Sequence, residues 1–353
     1  MERGLPLYDL KSPSDASHRI AAPGGYEWWH FDAESADQSV RVVVMFWQGD
    51  ALDGQYARRY RAYVRRPTWH RPPLPREYAV VHAAVFERDR LVAGFASAGG
   101  FSASGEAMDV TIADCRASRE SNGDLHLSVR KSGQNLSGDL TFRPVWPREP
   151  HLVGWALPTS FPRGSANGGQ CPPYAEEKGG RSPYSMRTPD PLLYDHHHWL
   201  IADPLCVVES DIHIGNRAIK FTGRGYHDHH FGDRPLWSLR HWMRGRVLGG
   251  DKTLVFQAAE PVAAAGSLAQ VFEADANGLH LGEAEMFSVG AGRWTLTGLG
   301  YPSEIRVAGF IFVTPKILDH SPARLLIAYR NRQTSESPLL CEIIYPSRVA
   351  WPF

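Results

Sequence analysis

The run Ser39-Val40-Arg41-Val42-Val43-Val44-Met45-Phe46-Trp47 decides the fold class. β-Branched and aromatic side chains fill it and Gly49-Asp50 closes it with a turn signal, which is the chemistry of a strand. Working outward, Tyr78–Phe86 is a second such run, ended by a charged turn at Glu87–Arg90. Leu125–Val129 alternates apolar and polar residues, the period of a half-buried strand. Ile212–Phe221 repeats the design across Gly215-Asn216 and reads as a hairpin. The same pattern recurs at Lys252–Gln257, Arg293–Thr297, Glu304–Phe312, Arg324–Tyr329 and Leu340–Tyr345. Capped stretches with apolar residues at helical spacing are hard to find, so the expectation is all-β. The 11 Trp, 26 Pro and 33 Gly agree with many short strands and turns.

A length of 353 residues exceeds the usual single domain of ~150 residues. A seam near Gly232-Asp233-Arg234-Pro235, after which a fresh set of strands begins, predicts domains 1–235 and 236–353. The first carries a Pro/Gly-rich irregular insertion over about 144–191. Its Trp146, Trp155, Phe161, Tyr174 and Tyr184 suit an ordered cover better than a free linker. Thirty-eight basic and 38 acidic residues cancel, which removes the electrostatic footprint of a nucleic-acid binder or polybasic anchor. The four cysteines are too scattered for a structural zinc site or dithiol motif and read as buried or inert thiols. Met1–Asp9 lacks the apolar core of a signal peptide, and no stretch reaches the ~18 apolar residues of a membrane span. A cytoplasmic protein is expected.

Histidine carries the functional signal. Eight of the 16 fall between His196 and His241, mostly in two strings, Tyr194-Asp195-His196-His197-His198-Trp199 and Gly225-Tyr226-His227-Asp228-His229-His230-Phe231-Gly232. On strands, period two puts His197 with Trp199, and Tyr226 with Asp228 and His230. A third string, Gly24-Gly25-Tyr26-Glu27-Trp28-Trp29-His30-Phe31-Asp32, sets Tyr26, Trp28, His30 and Asp32 on one face. These faces can present indole, imidazole, phenol and carboxyl to a common cavity. The plainer alternatives are histidines bonded at a polar rim and an aromatic core strand. Metal is not expected: adjacent histidines on a strand point opposite ways, and no His-Glu-x-x-His helix is present. The absence of Gly-x-Ser-x-Gly, Gly-x-Gly-x-x-Gly and P-loop motifs argues against a serine hydrolase and a nucleotide cofactor.

Gly-Tyr-Glu-Trp-Trp-His-Phe-Asp at 25–32, followed by Gly-Tyr-x-Asp-His-x-x-Gly at 225–232, resembles the carotenoid 1,2-hydratases, also called hydroxyneurosporene synthases, within the AttH-like tandem-lipocalin proteins. The resemblance spans about Gly24 to Gly232. It implies two lipocalin-like β-barrels side by side and cofactor-independent addition of water to a terminal double bond of an acyclic carotenoid or related isoprenoid. The family's His-x-Trp and Tyr-x-Asp sets fall on His197, Trp199, Tyr226 and Asp228, the implied catalytic residues, with Tyr26, Trp28, His30 and His230 binding substrate. Phe231 stands where the family usually has Trp, and His30 where Tyr is common. The implied partner is a hydrophobic small molecule, which leaves room for peripheral contact with the inner membrane; the oligomeric state stays open.

The chemistry suits these residue types. An aspartic acid in an apolar pocket keeps its proton because burial disfavours the carboxylate, and can protonate an alkene. An indole face such as Trp199 stabilises the carbocation, by ~2 kcal/mol or more when desolvated. His197 or His230 then takes the proton of the attacking water, and Tyr226 orients the carboxyl. Two rivals remain: a pericyclase, cyclase or isomerase of a polyene or terpenoid in the same cavity, and a non-catalytic carrier of an apolar ligand in either barrel.

Overall fold

In a computed structural model the side chains of residues 14–88, 90–133, 135–146, 197–236, 239, 242, 244–248, 252–257 and 271–279 are described, together with the backbone of the other strands named here. The Ser39–Trp47 run forms strand β2 (Val40–Gln48), beside β1 (Tyr26–Ser35). The sheet continues through β3 (Val80–Glu87), β4 (Arg90–Ala98), β5 (Phe101–Ala103), β6 (Asp109–Ile112), β7 (Cys115–Arg119), β8 (Leu125–Val129), β9 (Leu136–Pro144), β10 (His151–Gly154), β11 (His197–Ile214) and β12 (Arg217–Gly232). These are one 12-stranded sheet in the order β4-β3-β2-β1-β12-β11-β9-β8-β7-β6-β5, with β10 on β11. The sheet curls, so its two end strands, β4 and β5, are consecutive in the chain through Gly99-Gly100.

Alternation sorts the side chains. Trp29, Phe31 and Ala33 of β1, Val42, Val44 and Phe46 of β2, and Val81, Ala83 and Val85 of β3 point inward. They join Leu127, Phe142, Val208 and others in one continuous apolar cluster that fills the curled sheet. Cys115 and Cys206 sit in this core as free thiols. At ~25 cal/mol per Å² of apolar area this interior is the main source of the fold's stability. The opposite row, Tyr26 and Trp28 of β1 with Val43, Met45 and Trp47 of β2, forms a second cluster outside the curl.

A second sheet begins after Gly232. Strands β13 (Leu239–Leu248), β14 (Thr253–Pro261), β15 (Leu268–Asp275), β16 (Gly278–Gly290), β17 (Arg293–Gly298), β18 (Tyr301–Arg306), β19 (Phe310–Phe312), β20 (Leu326–Tyr329) and β21 (Leu340–Ile344) run in the order β18-β17-β16-β15-β14-β13-β21-β20-β19. Leu236, Leu239 and Trp242 join the outer cluster of the first sheet, so that row of β1 and β2 is covered by the second.

Two expectations need correction. The single run Glu304–Phe312 is two strands, β18 and β19, at opposite ends of the second sheet. The chain also has a helix, α1 (Gly54–Arg65), which the strand reading passed over. Asp53 caps it, accepting from the Gln55 amide at 2.6 Å, and Tyr56 and Ala57 anchor its buried side. Most of the Pro/Gly-rich insertion lies outside the described residues. Among the described residues no helix is long and apolar enough to cross a membrane.

Candidate active site

Register brings the three strings together. β1 lies antiparallel to β12 with His30 opposite Asp228, Asp32 opposite Tyr226 and Trp28 opposite His230. β11 flanks β12 on the other side, with Trp199 opposite His230. Period two then places Tyr26, Trp28, His30, Asp32, His197, Trp199, Tyr226, Asp228 and His230 on one surface. That surface is the outer face of the first sheet, between the two sheets, and not the interior of the curl. A carrier ligand inside the first sheet would have to displace its apolar cluster.

Asp228 is the centre. It is 1% exposed, and its Oδ2 accepts from the Trp199 indole at 2.9 Å and the Tyr226 hydroxyl at 2.8 Å. Arg244 Nη1, from β13, donates to both carboxylate oxygens at 2.8 and 2.7 Å. Burial pushes the Asp228 carboxyl up, but the Arg244 guanidinium pulls it down further, and it lies well below the usual carboxylate range. The expectation of a protonated Asp228 is therefore corrected for the closed site: a guanidinium from the second sheet holds it ionised. Trp199 differs from expectation too. Its indole N–H is turned to the carboxylate, and its ring lies 5.5 Å from that of His230 at 9°.

A second pair stands beside the first. Arg246, two residues along β13, donates Nε to Asp32 Oδ1 at 2.5 Å and pairs with it again through Nη2. His30 Nε2 is 3.0 Å from the other Asp32 oxygen. Two carboxylates from the first sheet thus face two guanidiniums from the second, all buried. Breaking one such pair leaves a buried charge and costs ~3–5 kcal/mol. His30, Asp32, Trp199, Tyr226, Asp228, Arg244, Gly245, Arg246 and Val255 line a cavity of about 20 Å³ between them. That is room for about one water molecule.

A hydrogen-bonded chain leads away from the pair. Arg244 Nη1 is 2.7 Å from His230 Nε2, His230 Nδ1 is 3.4 Å from His197 Nε2, and His197 Nδ1 is 2.6 Å from the Tyr26 hydroxyl. Arginine only donates, so His230 Nε2 accepts; its proton then sits on Nδ1, and His197 must accept in turn. Burial keeps both rings neutral: it drives His197 well down and His230 to about 3. His230 lies against Trp28 at 4.4 Å and edge-on to Trp242 at 5.2 Å. Neither His197 nor His230 lines the cavity; His30 does.

The curled sheet, the covered outer face and the second sheet match a solved structure of an AttH protein from Nitrosomonas europaea, with a TM-score of 0.58 at 14% identity over 97% of this chain and 99% of that one. The chain has the AttH-like lipocalin fold. Kievitone hydratase from Nectria haematococca shares the AttH-like arrangement at a TM-score of 0.50 and 10% identity over 95% of this chain and 96% of that one. In sequence, the chain is 23% identical over 263 residues to a hydroxyneurosporene dehydrogenase of Chlorobaculum tepidum, covering 69% of this chain. It spans 59% of that relative's length. No protein-family model matches the chain.

Sequence reasoning missed Arg244 and Arg246. Their signal is the alternation Trp242-Met243-Arg244-Gly245-Arg246, which sets two cations and an indole on one face of a strand. A buried strand carries charge on its inner row only where carboxylates await it.

Proposed function

We propose that this chain is a cofactor-independent hydratase of an isoprenoid-type alkene, working between its two sheets. The observation that carries the reading is the water-sized cavity bounded by two carboxylates, a phenol and an imidazole. Asp228 gives the proton and Arg244 governs when. An apolar chain end that enters here has to displace the guanidinium; burial, which raises the carboxyl, then prevails and Asp228 takes up a proton. The proton passes to the less substituted alkene carbon, leaving a tertiary carbocation. Water in the cavity adds its oxygen to that cation and loses a proton to His30, which Asp32 orients. Return of that proton to Asp228 closes the cycle, so alkene plus water gives alcohol with no redox change. The hydratase name of one fold neighbour agrees with the reaction, and the hydroxyneurosporene in the name of the sequence relative, a dehydrogenase, with the substrate class.

The test is mass spectrometry of products from acyclic carotenoids incubated with the full chain in ¹⁸O-labelled water, beside Asp228→Asn. Gain of one labelled water, absent in the variant, is the expected result. A product isomeric with substrate would make the protein a cyclase. Unchanged substrate that co-purifies with the chain would make it a carrier.

A further inference from the structure

Most buried or part-buried carboxylates among the described residues of the first sheet meet an arginine. Asp228 meets Arg244, Asp32 meets Arg246, Glu34 meets Arg41, and Asp15 and Asp203 share Arg119. Glu27 does not. It lies fully buried on the inner row of β1, and no lysine or arginine among the described residues reaches it. It faces two imidazoles instead. His229 Nε2, from β12, stands 3.1 Å from Glu27 Oε1, and His18 Nδ1, from the segment before β1, stands 3.3 Å from the same oxygen. One ligand atom from each residue falls within 4.8 Å of the other two.

The surroundings are those of a coordinating set. Ser17 Oγ donates to Glu27 Oε2 at 2.9 Å and the His18 amide to Oε1 at 2.6 Å, which fixes the carboxylate. Asp15 Oδ1 lies 3.6 Å from the far nitrogen of His229, beyond hydrogen-bond reach but close enough to attract the ring electrostatically, while Nε2 is turned to Glu27. The His18 ring is stacked on Phe231 at 3.5 Å, so its Nδ1 is held in place. A neighbouring set, Asp15, Asp203 and His227, has similar spacing, but Arg119 already supplies its positive charge. Among the described residues, no arginine or lysine pairs with the Glu27 carboxylate.

We propose that His18, Glu27 and His229 bind a divalent transition-metal cation of the zinc class. Two imidazole nitrogens and a carboxylate oxygen suit zinc, with water in the fourth position on the side of His18, whose side chain is 14% exposed. The ion ties the segment before β1 to β1 and β12 from inside the curl. It stands on the opposite side of those strands from Asp228 and takes no part in the proposed hydration.

The test is metal analysis of the untagged full chain, then zinc titration of chelator-treated protein followed by thermal unfolding. Stoichiometric zinc, a melting temperature raised by zinc and lowered by chelator, and an X-ray absorption edge with only nitrogen and oxygen ligands are expected. His18→Ala, at the partly exposed position, should keep the circular dichroism spectrum while losing zinc and its stabilisation; Glu27→Gln should lose zinc as well. Equal zinc content and equal melting temperature in the wild type and His18→Ala would overturn the proposal, and imidazole protonation would then balance Glu27.

Discussion

The two faces of β1 differ as sharply as two regions of a protein can. Its inner row runs Glu27, Trp29, Phe31, Ala33, mostly an apolar wall inside the curled sheet. Its outer row runs Tyr26, Trp28, His30, Asp32, with charge placed between sheets. All ten residues of the strand are buried, so burial alone does not separate structure from function. Pairing does. Beyond Glu27, the inner row meets mainly apolar side chains of its own sheet, and the outer row meets arginines and an indole delivered by the next.

The largest effect expected is on the outer row. Asp228→Asn should cut turnover by about 10²–10⁴-fold, the contribution of a positioned acid. It also strands Arg244, at ~3–5 kcal/mol of stability. Asp228→Asn combined with Arg244→Met removes both charges, and urea unfolding should show stability largely regained while turnover stays lost. Recovered turnover would break the comparison. On the inner side, Phe142→Ala should cost about 3–5 kcal/mol through cavity formation. Its turnover per folded molecule, measured below the melting temperature, should match the wild type.

A smaller effect separates the faces by pH. His197 and His230 are kept neutral by burial, so the unfolded chain takes up protons before the folded one as pH falls below about 6.5. Stability should decline from there toward pH 3, and Asp228 adds to the loss below about 4, where the unfolded carboxyl is protonated. Urea midpoints at pH 7 and pH 5 should differ less in His230→Phe than in the wild type. The smallest effect belongs to neither face: Arg116→Ala opens an exposed pair with Asp109 and should change stability by less than about 1 kcal/mol.

Strand periodicity made much of this legible. β8 falls on Leu125–Val129 as read, and the faces of β1, β11 and β12 follow from counting by two. Helix α1 was hidden because its apolar stripe is only three residues long, Tyr56, Tyr60 and Val64, beside a face filled by Arg58, Arg61 and Arg65. The ionised state of Asp228 was hidden for another reason. Its cause is a guanidinium 16 residues away on another sheet, and local sequence carries no record of that meeting. His18 escaped notice likewise, since only the fold brings it 9 residues back onto Glu27.

The β1–β12 ladder has a consequence for how the chain comes off the ribosome. Tyr26 waits for Gly232, and Ser35 for Gly223, so one edge of β1 stays open until nearly two hundred further residues have been made. At ~5–20 residues per second that is roughly 10–40 s during which a strand with a tryptophan on each face lacks a neighbour. β2, β3 and β4 can zip up at once beside it, each against the strand before. The Asp228 site waits longer still, for Arg244 of β13, and any slowing of translation ahead of β12 lengthens the exposure of an aggregation-prone edge.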